Sequence, residues 1–374
     1  MGKVLNIVTS LTKEFDEPIQ CTLEDPDSAT PVPCPLIIDA PTKALSCIIP
    51  AYNEEDRLGS TLDEALAYLQ ERRERQGPSF TYELIIVDDG SKDGTAKVAA
   101  GYIRRHGMDT VRLLRVSANR GKGHAVKRGM LAARGEYCLL MDADGATRFA
   151  DLEKLEAGLE KIMVPTEAKL AEGILAGAKS LGRGKGGLGG GVEALEAGLH
   201  DFIVPSFPSA ASARAGSTST AASSSGAAPA DPQGPLGVAY GSRAHLHKDA
   251  VTKRSPMRNF LTRGFHLLVF LVAGGRVRDT QCGFKLFTRR AAAVLFSNQR
   301  LQRWCFDVEL LVLANKLGIP VCEVSVNWTE IPGSKIRFTS IILMAFELLI
   351  IKVAYQMMGS WPIHSEATLS KKAN

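Results

Sequence analysis

At 374 residues the chain can bury a full core, and its length suggests two or three domains. A net charge of +5, with no Lys/Arg block long or aromatic-rich enough, excludes nucleic acid and fits an anionic small substrate or an anionic membrane surface. The seven cysteines (Cys21, Cys34, Cys47, Cys138, Cys282, Cys305, Cys322) are scattered and form no C-x-x-C pair. That favours reduced thiols packed as small apolar groups over zinc or disulfides, and hence a cytosolic environment.

Residues 1–44 carry Pro and Asp but no apolar stretch long enough for a signal peptide or spanning helix, and read as a poorly ordered lead-in. Over 45–160 strand and helix alternate. Leu45 to Ile49 is a strand closed by Pro50, and Leu58, Leu62, Ala65, Leu66 and Leu69 then recur at helical spacing. Tyr82 to Val87 is a second strand, followed by a turn at Ser91-Lys92-Asp93-Gly94 and a helix that Gly107 stops. Val111 to Val116, Gly123 to Ala133 and Tyr137 to Met141 give strand, helix and strand. Such alternation predicts an α/β fold, a largely parallel sheet with helices on both faces.

Residues 161–236 break the pattern. Gly182 to Gly191 is nearly all glycine, and Ser206 to Gly234 is rich in Ala, Ser, Gly and Pro. Neither can bury enough apolar surface to offset its ordering entropy, so a flexible insertion is expected. Within it Leu155-Glu156-Ala157-Gly158-Leu159 is echoed by Leu195-Glu196-Ala197-Gly198-Leu199, as a local duplication would leave. Order resumes at Val238. Phe260 to Ala273 and Ile341 to Met358 are apolar helical segments, each too short or too charged to span a membrane. Either can be core or lie in a membrane interface.

Two strand-like runs end in carboxylates: Leu84 to Val87 before Asp88-Asp89-Gly90-Ser91, and Tyr137 to Met141 before Asp142-Ala143-Asp144. In an open α/β sheet the crevice lies past the strand ends, so both pairs mark it. Asp142 and Asp144, two apart, can both reach one hard cation such as Mg²⁺ or Mn²⁺, which takes one or two carboxylates plus substrate phosphates. Asp88 to Ser91 suits the base and ribose of a nucleotide. Asn119-Arg120-Gly121-Lys122-Gly123 opens a helix, where glycines would let backbone N–H groups approach a phosphate. An ordinary basic helix start explains it equally well. No P-loop is present, which disfavours ATP hydrolysis, and no G-x-G-x-x-G follows the first strand, which argues against NAD.

Pro50-Ala51-Tyr52-Asn53-Glu54, Asp88-Asp89-Gly90-Ser91, Asn119 to Gly123 and Asp142-Ala143-Asp144-Gly145, in this order, resemble a family 2 glycosyltransferase of the Rossmann-like GT-A fold. Tyr240 to Leu246, Arg278 to Phe287, Arg303 to Leu310 and Val326 to Lys335 narrow the resemblance to dolichyl-phosphate β-glucosyltransferases. That family transfers glucose from UDP-glucose to dolichyl phosphate, with inversion and a divalent cation, at the cytosolic face of the endoplasmic reticulum, for N-glycan precursor assembly. The resemblance makes 45–160 the nucleotide-sugar half, 237–335 the acceptor half and 336–374 a membrane-associated helical segment with tail. Pro50, Tyr52, Asn53, Glu54, Asp88, Asp89, Gly90 and Ser91 would hold the nucleotide, with Lys122 and Ala143 beside the diphosphate. Asp142 and Asp144 would hold the metal. Arg243 and Lys335 would contact donor or acceptor phosphates, and Gln281 and Lys285 would lie near the sugar or acceptor phosphate. Asp307 is where some family 2 enzymes place a general base, with Asp279 and Glu309 as rivals and a dipole-favoured helix start as the bland explanation. Family members usually begin with a hydrophobic anchor helix, for which the first 45 residues here offer no candidate. Two alternatives stay open: a sister enzyme using another donor such as GDP-mannose, and a catalytically silent nucleotide-sugar-binding protein.

Overall fold

The structure, a computed structural model, describes residues 22–28, 32–163, 234–246, 256–331 and 338–365. The expected insertion lies outside them except at its edges, and so does Lys335. The alternating half folds as its pattern dictates: β3 (Lys43–Ala51), α1 (Glu55–Gln76), β4 (Tyr82–Asp88), α2 (Thr95–His106), β5 (Val111–Arg115), α3 (Lys122–Leu131), β6 (Gly135–Met141) and α4 (Leu152–Met163). Strand β3 runs on through Pro50. Its ladder with β6 ends at Ile48, while its pairing with β4 continues past the proline to Ala51. The second half supplies β7 (Val238–Ser242), α5 (Pro256–Ala273), β8 (Phe284–Thr288), α6 (Arg289–Asn298), α7 (Phe306–Leu317), β9 (Val321–Ser325) and α8 (Phe338–Ile351). The lead-in adds β1 (Thr22–Leu23) and β2 (Val32–Pro33).

These strands form one sheet in the order β2-β1-β5-β4-β3-β6-β8-β7-β9. Strands β5, β4, β3 and β6 are mutually parallel, as are β7 and β9, while β8 and β1 run against their neighbours. Alternate residues of β3 and β4 serve opposite cores. Cys47, Ile49, Leu84 and Ile86 pack with α1, α2 and α4, whereas Ile48, Ile85 and Val87 face α3, α6 and α7. Burial on both faces is why these strands read as continuous apolar runs.

Two expectations need correcting. The lead-in, expected to be poorly ordered, has Leu23 and Ile37 buried in the core. Arg289 explains part of this, since its guanidinium donates to the carbonyls of Leu36, Asp39, Ala133 and Gly135 and ties the lead-in to the sheet. The thiols of Cys47, Cys138, Cys282, Cys305 and Cys322 are free and mostly buried, as small apolar groups, but Cys34 is disulfide-bonded. At the sheet edge remote from the acidic pairs, fully buried Glu83 takes Arg112 at 2.7 Å and Arg134 at 2.7 Å. Burial alone would raise its carboxyl; the two guanidiniums outweigh that and hold it below the ordinary range.

Candidate active site

The chain runs from β3 out through β4 to β5 and then crosses back to β6 on the other side of β3, so the order reverses at β3. Ligands bind such sheets beyond the strand ends at that reversal. Tyr52-Asn53-Glu54 follows β3, Asp89 follows β4 and Asp142 follows β6, which brings three sequence-distant motifs to one edge. Because β7 and β9 run parallel to β6, their ends reach this edge too, while antiparallel β8 begins there, with Met141 opposite Phe284.

On the β4 side lies a cavity of about 710 Å³, lined by Tyr52, Gly90, Ser91, Arg115 and Asn119 with Glu24. Asn53 takes a left-handed φ of 52°, tolerable for a side chain that bonds locally. Its Oδ1 accepts Lys92 N–H at 2.8 Å, and its own N–H donates to Ser91 Oγ at 2.9 Å. Glu54 donates its N–H to Thr95 Oγ1 at 2.8 Å and pairs with Arg57. Asp88 Oδ1 accepts Ser91 N–H at 2.9 Å. Its buried Oδ2 has no hydrogen-bond partner and lies 3.5 Å from Arg115 Nε. A buried acceptor without a hydrogen bond suits a donor from a ligand. Asp89, by contrast, uses its two oxygens on the N–H groups of Arg120 (3.0 Å) and Gly121 (2.7 Å). Burial raises its pKa against those two bonds.

The glycines around Lys122 serve protein packing rather than an open phosphate cradle. A Cβ on Gly121 would lie 2.7 Å from the Gln302 carbonyl, and one on Gly123 would lie 2.7 Å from that of Leu301. The N–H groups of Gly123 and His124 donate to the carbonyls of Arg303 and Gln302, which corrects the expectation that they face a phosphate. Lys122 itself reaches Asp142 Oδ1 at 2.5 Å. Burial lowers its pKa, but Asp142, Asp307 and Asp144 together outweigh that and hold the ammonium above its usual value.

Asp142 and Asp144 are both partly exposed, with the Ala143 carbonyl between them accepting Thr61 Oγ1 at 2.9 Å. Asp144 Oδ1 accepts Ala146 N–H at 3.0 Å. Gly283, entering β8, backs Asp142 so closely that a Cβ there would fall 2.0 Å from Oδ2. Two exposed hard-oxygen ligands fit Mg²⁺ or Mn²⁺. Among the described residues no group of three or more His, Cys, Asp or Glu could hold a metal. A cation here would therefore complete its shell from substrate oxygens and water.

The second half contributes two ion pairs. Arg243, past β7, forks onto Asp279 through Nε (2.7 Å) and Nη2 (3.0 Å), and its backbone N–H adds a third bond at 2.9 Å. Burial would raise the Asp279 carboxyl, but Arg243 keeps it low. The guanidinium also lies over Trp328, 5.3 Å from the ring centroid. Asp279 thus serves to aim Arg243. Lys285, fully buried, donates to Asp307 Oδ1 at 2.7 Å and to the Cys282 carbonyl. It can support the site but has no face toward a ligand. Asp307 is raised in pKa by burial, with Lys285 and Lys122 pulling the other way. Glu309, its rival as a base, is turned away: it accepts the N–H groups of Arg300 and Leu301 and the Tyr355 hydroxyl. Gln281 sits half-buried in the loop before β8. Pro50 lies inside β3 rather than at the cavity wall.

Sequence reasoning passed over Arg115, and gave Asn119 and Trp328 no role of their own within the motifs that contain them. Arg115 ends β5, the third strand of the same parallel set, so the strand-end rule was a signal for it. Trp328 pairs across to Thr147 just past the Asp-x-Asp loop, a long-range link that no local pattern carries.

The family model for glycosyl transferase family 2 matches residues 46–164. The chain is 41% identical to the dolichyl-phosphate beta-glucosyltransferase of Homo sapiens, over 87% of this chain and 80% of that one. Identity to the Saccharomyces cerevisiae protein of the same name is 34%, over 83% and 75%. The chain belongs to the dolichyl-phosphate β-glucosyltransferase family. It is a glycosyltransferase, and its sheet has the GT-A character that family 2 members share. Glucosyl-3-phosphoglycerate synthase from Mycobacterium tuberculosis aligns with a TM-score of 0.45 and 13% identity, over 84% of this chain and 80% of that one.

Proposed function

We propose that this family member moves glucose from UDP-glucose to dolichyl phosphate, giving dolichyl β-D-glucosyl phosphate, at the cytosolic face of the endoplasmic reticulum membrane. The observation that carries this reading is the 41% identity to proteins of that name across both halves, including the acceptor half. The uracil would enter the cavity beside Tyr52, and Asp88 Oδ2, which has no hydrogen bond and lies 3.5 Å from the lining residue Arg115, is proposed to accept its ring N–H. Asp142 and Asp144 would hold a divalent cation, which neutralises charge on the diphosphate leaving group. Lipid phosphate, with a second pKa near 6, is mostly dianion at pH 7 and needs little proton abstraction before attack on the anomeric carbon. Arg243, with Nε and Nη2 fixed on Asp279, has Nη1 for an acceptor oxygen. Lys335 is proposed to join it. Attack opposite the leaving group gives inversion.

The donor reading has a direct test. Titration with UDP-glucose, GDP-mannose and UDP-GlcNAc in the presence of Mn²⁺, followed by transfer to a short polyprenyl phosphate, should give binding and turnover with UDP-glucose. Turnover with GDP-mannose alone would move the assignment to the sister enzyme. Donor binding without turnover on any polyprenyl phosphate would leave a silent binding protein.

Membrane docking is proposed through α5 and α8. Among the described residues no helix is long and apolar enough to cross a membrane. Both helices nevertheless bury one side, through Val269, Val272, Met344 and Leu348, and expose apolar side chains on the other. Phe270 is 58% exposed and Leu349 57%, with Leu267, Leu271, Leu343 and Phe346 beside them. Lys352 Nζ joins the helices by donating to the Leu271 carbonyl at 3.0 Å. Burying each such side chain contributes about 1.5–3 kcal/mol, so Phe270→Glu with Leu349→Glu should weaken binding to liposomes at least about tenfold. Unchanged sedimentation with liposomes would exclude this face.

A further inference from the structure

The ammonium of Lys122 occupies the carboxylate that a divalent cation needs. Its Nζ lies 2.5 Å from Asp142 Oδ1. Gly283 backs the same carboxylate, with no room for a Cβ between them. A cation arriving at Asp142 therefore meets a neutralised ligand and must displace the lysine.

The structure fixes the backbone on both sides of that lysine. Asp89 grips the N–H groups of Arg120 and Gly121 immediately before it. The carbonyls of Gln302 and Arg303 take the N–H groups of His124 and Gly123 immediately after it. Only the four-carbon side chain, 21% exposed, is free to change partner. A move onto Asp307 alone meets competition, since Lys285 already holds Oδ1 there at 2.7 Å. The strongest anion a bound donor would bring to this edge is its diphosphate.

We propose that Lys122 is a resident counter-cation of the acidic site, which leaves Asp142 for the donor diphosphate when nucleotide sugar and divalent cation arrive together. This rests on the metal reading of Asp142 and Asp144. Its consequence is coupling: the cation alone binds weakly because it must evict Lys122, whereas with the nucleotide present the displaced ammonium gains a new anionic partner. The charge balance of the site then stays nearly constant from the empty to the loaded state, and neither ligand is held productively without the other.

Mn²⁺ binding, read by electron paramagnetic resonance of the free ion with and without UDP, tests this without any turnover. Wild-type protein should bind Mn²⁺ weakly alone and much more tightly with UDP. Removing a unit charge a few ångströms from the ligand should make Lys122→Met bind Mn²⁺ alone at least about tenfold more tightly, while the gain on adding UDP shrinks. Lys122→Arg, which keeps the charge, should stay near wild type. Lys122→Gln serves in place of the Met variant if that one melts early. A folded Lys122→Met or Lys122→Gln protein with unchanged or weaker Mn²⁺ binding, and an intact UDP effect, would overturn the proposal while leaving the metal site standing. No Mn²⁺ binding by wild type even with UDP, and no difference in Asp144→Ala, would instead remove the metal assignment and this proposal with it.

Discussion

Replacing Asp144 by Ala is expected to remove sugar transfer and leave the fold intact. Asp144 lies beyond β6, partly exposed, and among the described residues it accepts only the local turn bond from Ala146 N–H at 3.0 Å. Little of the core depends on it. If it shares a divalent cation with Asp142, its loss removes half of the protein's ligands to that ion. Electrostatic clamping of a leaving group contributes several kcal/mol, so the rate should fall about a thousandfold or more. Asp142→Ala is a less clean probe, because it also strips Lys122 of its partner. Steady-state transfer with Mn²⁺ or Mg²⁺, beside thermal melting of the same preparation, checks the claim. Ordinary activity in EDTA, or in the Ala variant, would sink it.

The fold of residues 45–160 was legible because apolar period and turn residues agreed at each element. Leu58, Leu62, Ala65, Leu66 and Leu69 mark one stripe of α1, and all five are buried. Gly107 stops α2 with a φ of 77°, where any side chain would be strained. The ends of β4 and β6 were visible as carboxylates following apolar runs. What stayed hidden was mostly non-local. Strands β8 and β9 are five residues each and join a sheet whose other members lie far away in sequence. The two-residue strands of the lead-in have no period to read. At the site, residue type pointed to Asp142 and Asp144 and the family resemblance to Arg243, but partners did not follow from sequence. Asp89 looks like a second ligand-binding carboxylate and instead clamps the start of α3. Lys285 looks like a phosphate ligand and lies sealed under the site against Asp307. A charged residue in a motif tells which chemistry is available, whereas burial decides which of two like charges meets the ligand.

That distinction sets the last expected result: Arg243→Ala should cost more turnover than Asp307→Asn. A dianionic acceptor phosphate has little need of a base, and its demand is for positive charge that brings two anions together. On the proposed reading Arg243 supplies it, held by two side-chain bonds to Asp279 and lying over Trp328. The backbone bond from residue 243 to Asp279 survives in the Ala variant, but Asp279 is left buried without its guanidinium, so this variant should melt earlier and is assayed well below its midpoint. A hydrogen bond to a charged group contributes about 1.5–3 kcal/mol, which places the loss of acceptor turnover at roughly tenfold to a hundredfold. Arg243→Lys should rescue poorly, because an ammonium lacks the planar fork that holds Arg243 on both Asp279 oxygens while a further N–H points elsewhere. Asp307 is different in kind. It is buried, paired with Lys285 at 2.7 Å, and pushed up in pKa by burial. Asn there leaves Lys285 charged, buried and without its carboxylate, a fault that costs about 3–5 kcal/mol of stability. The Asp307→Asn variant should therefore melt earlier, yet turn over when assayed well below its midpoint. Replacing both partners, as Lys285→Met with Asp307→Leu, should recover much of that stability, since neither charge is then stranded. Rates against acceptor concentration, taken beside melting curves, separate the two roles. A fully folded but inactive Asp307→Asn protein, with Arg243→Ala nearly unaffected, would make Asp307 the general base and overturn this account of the acceptor.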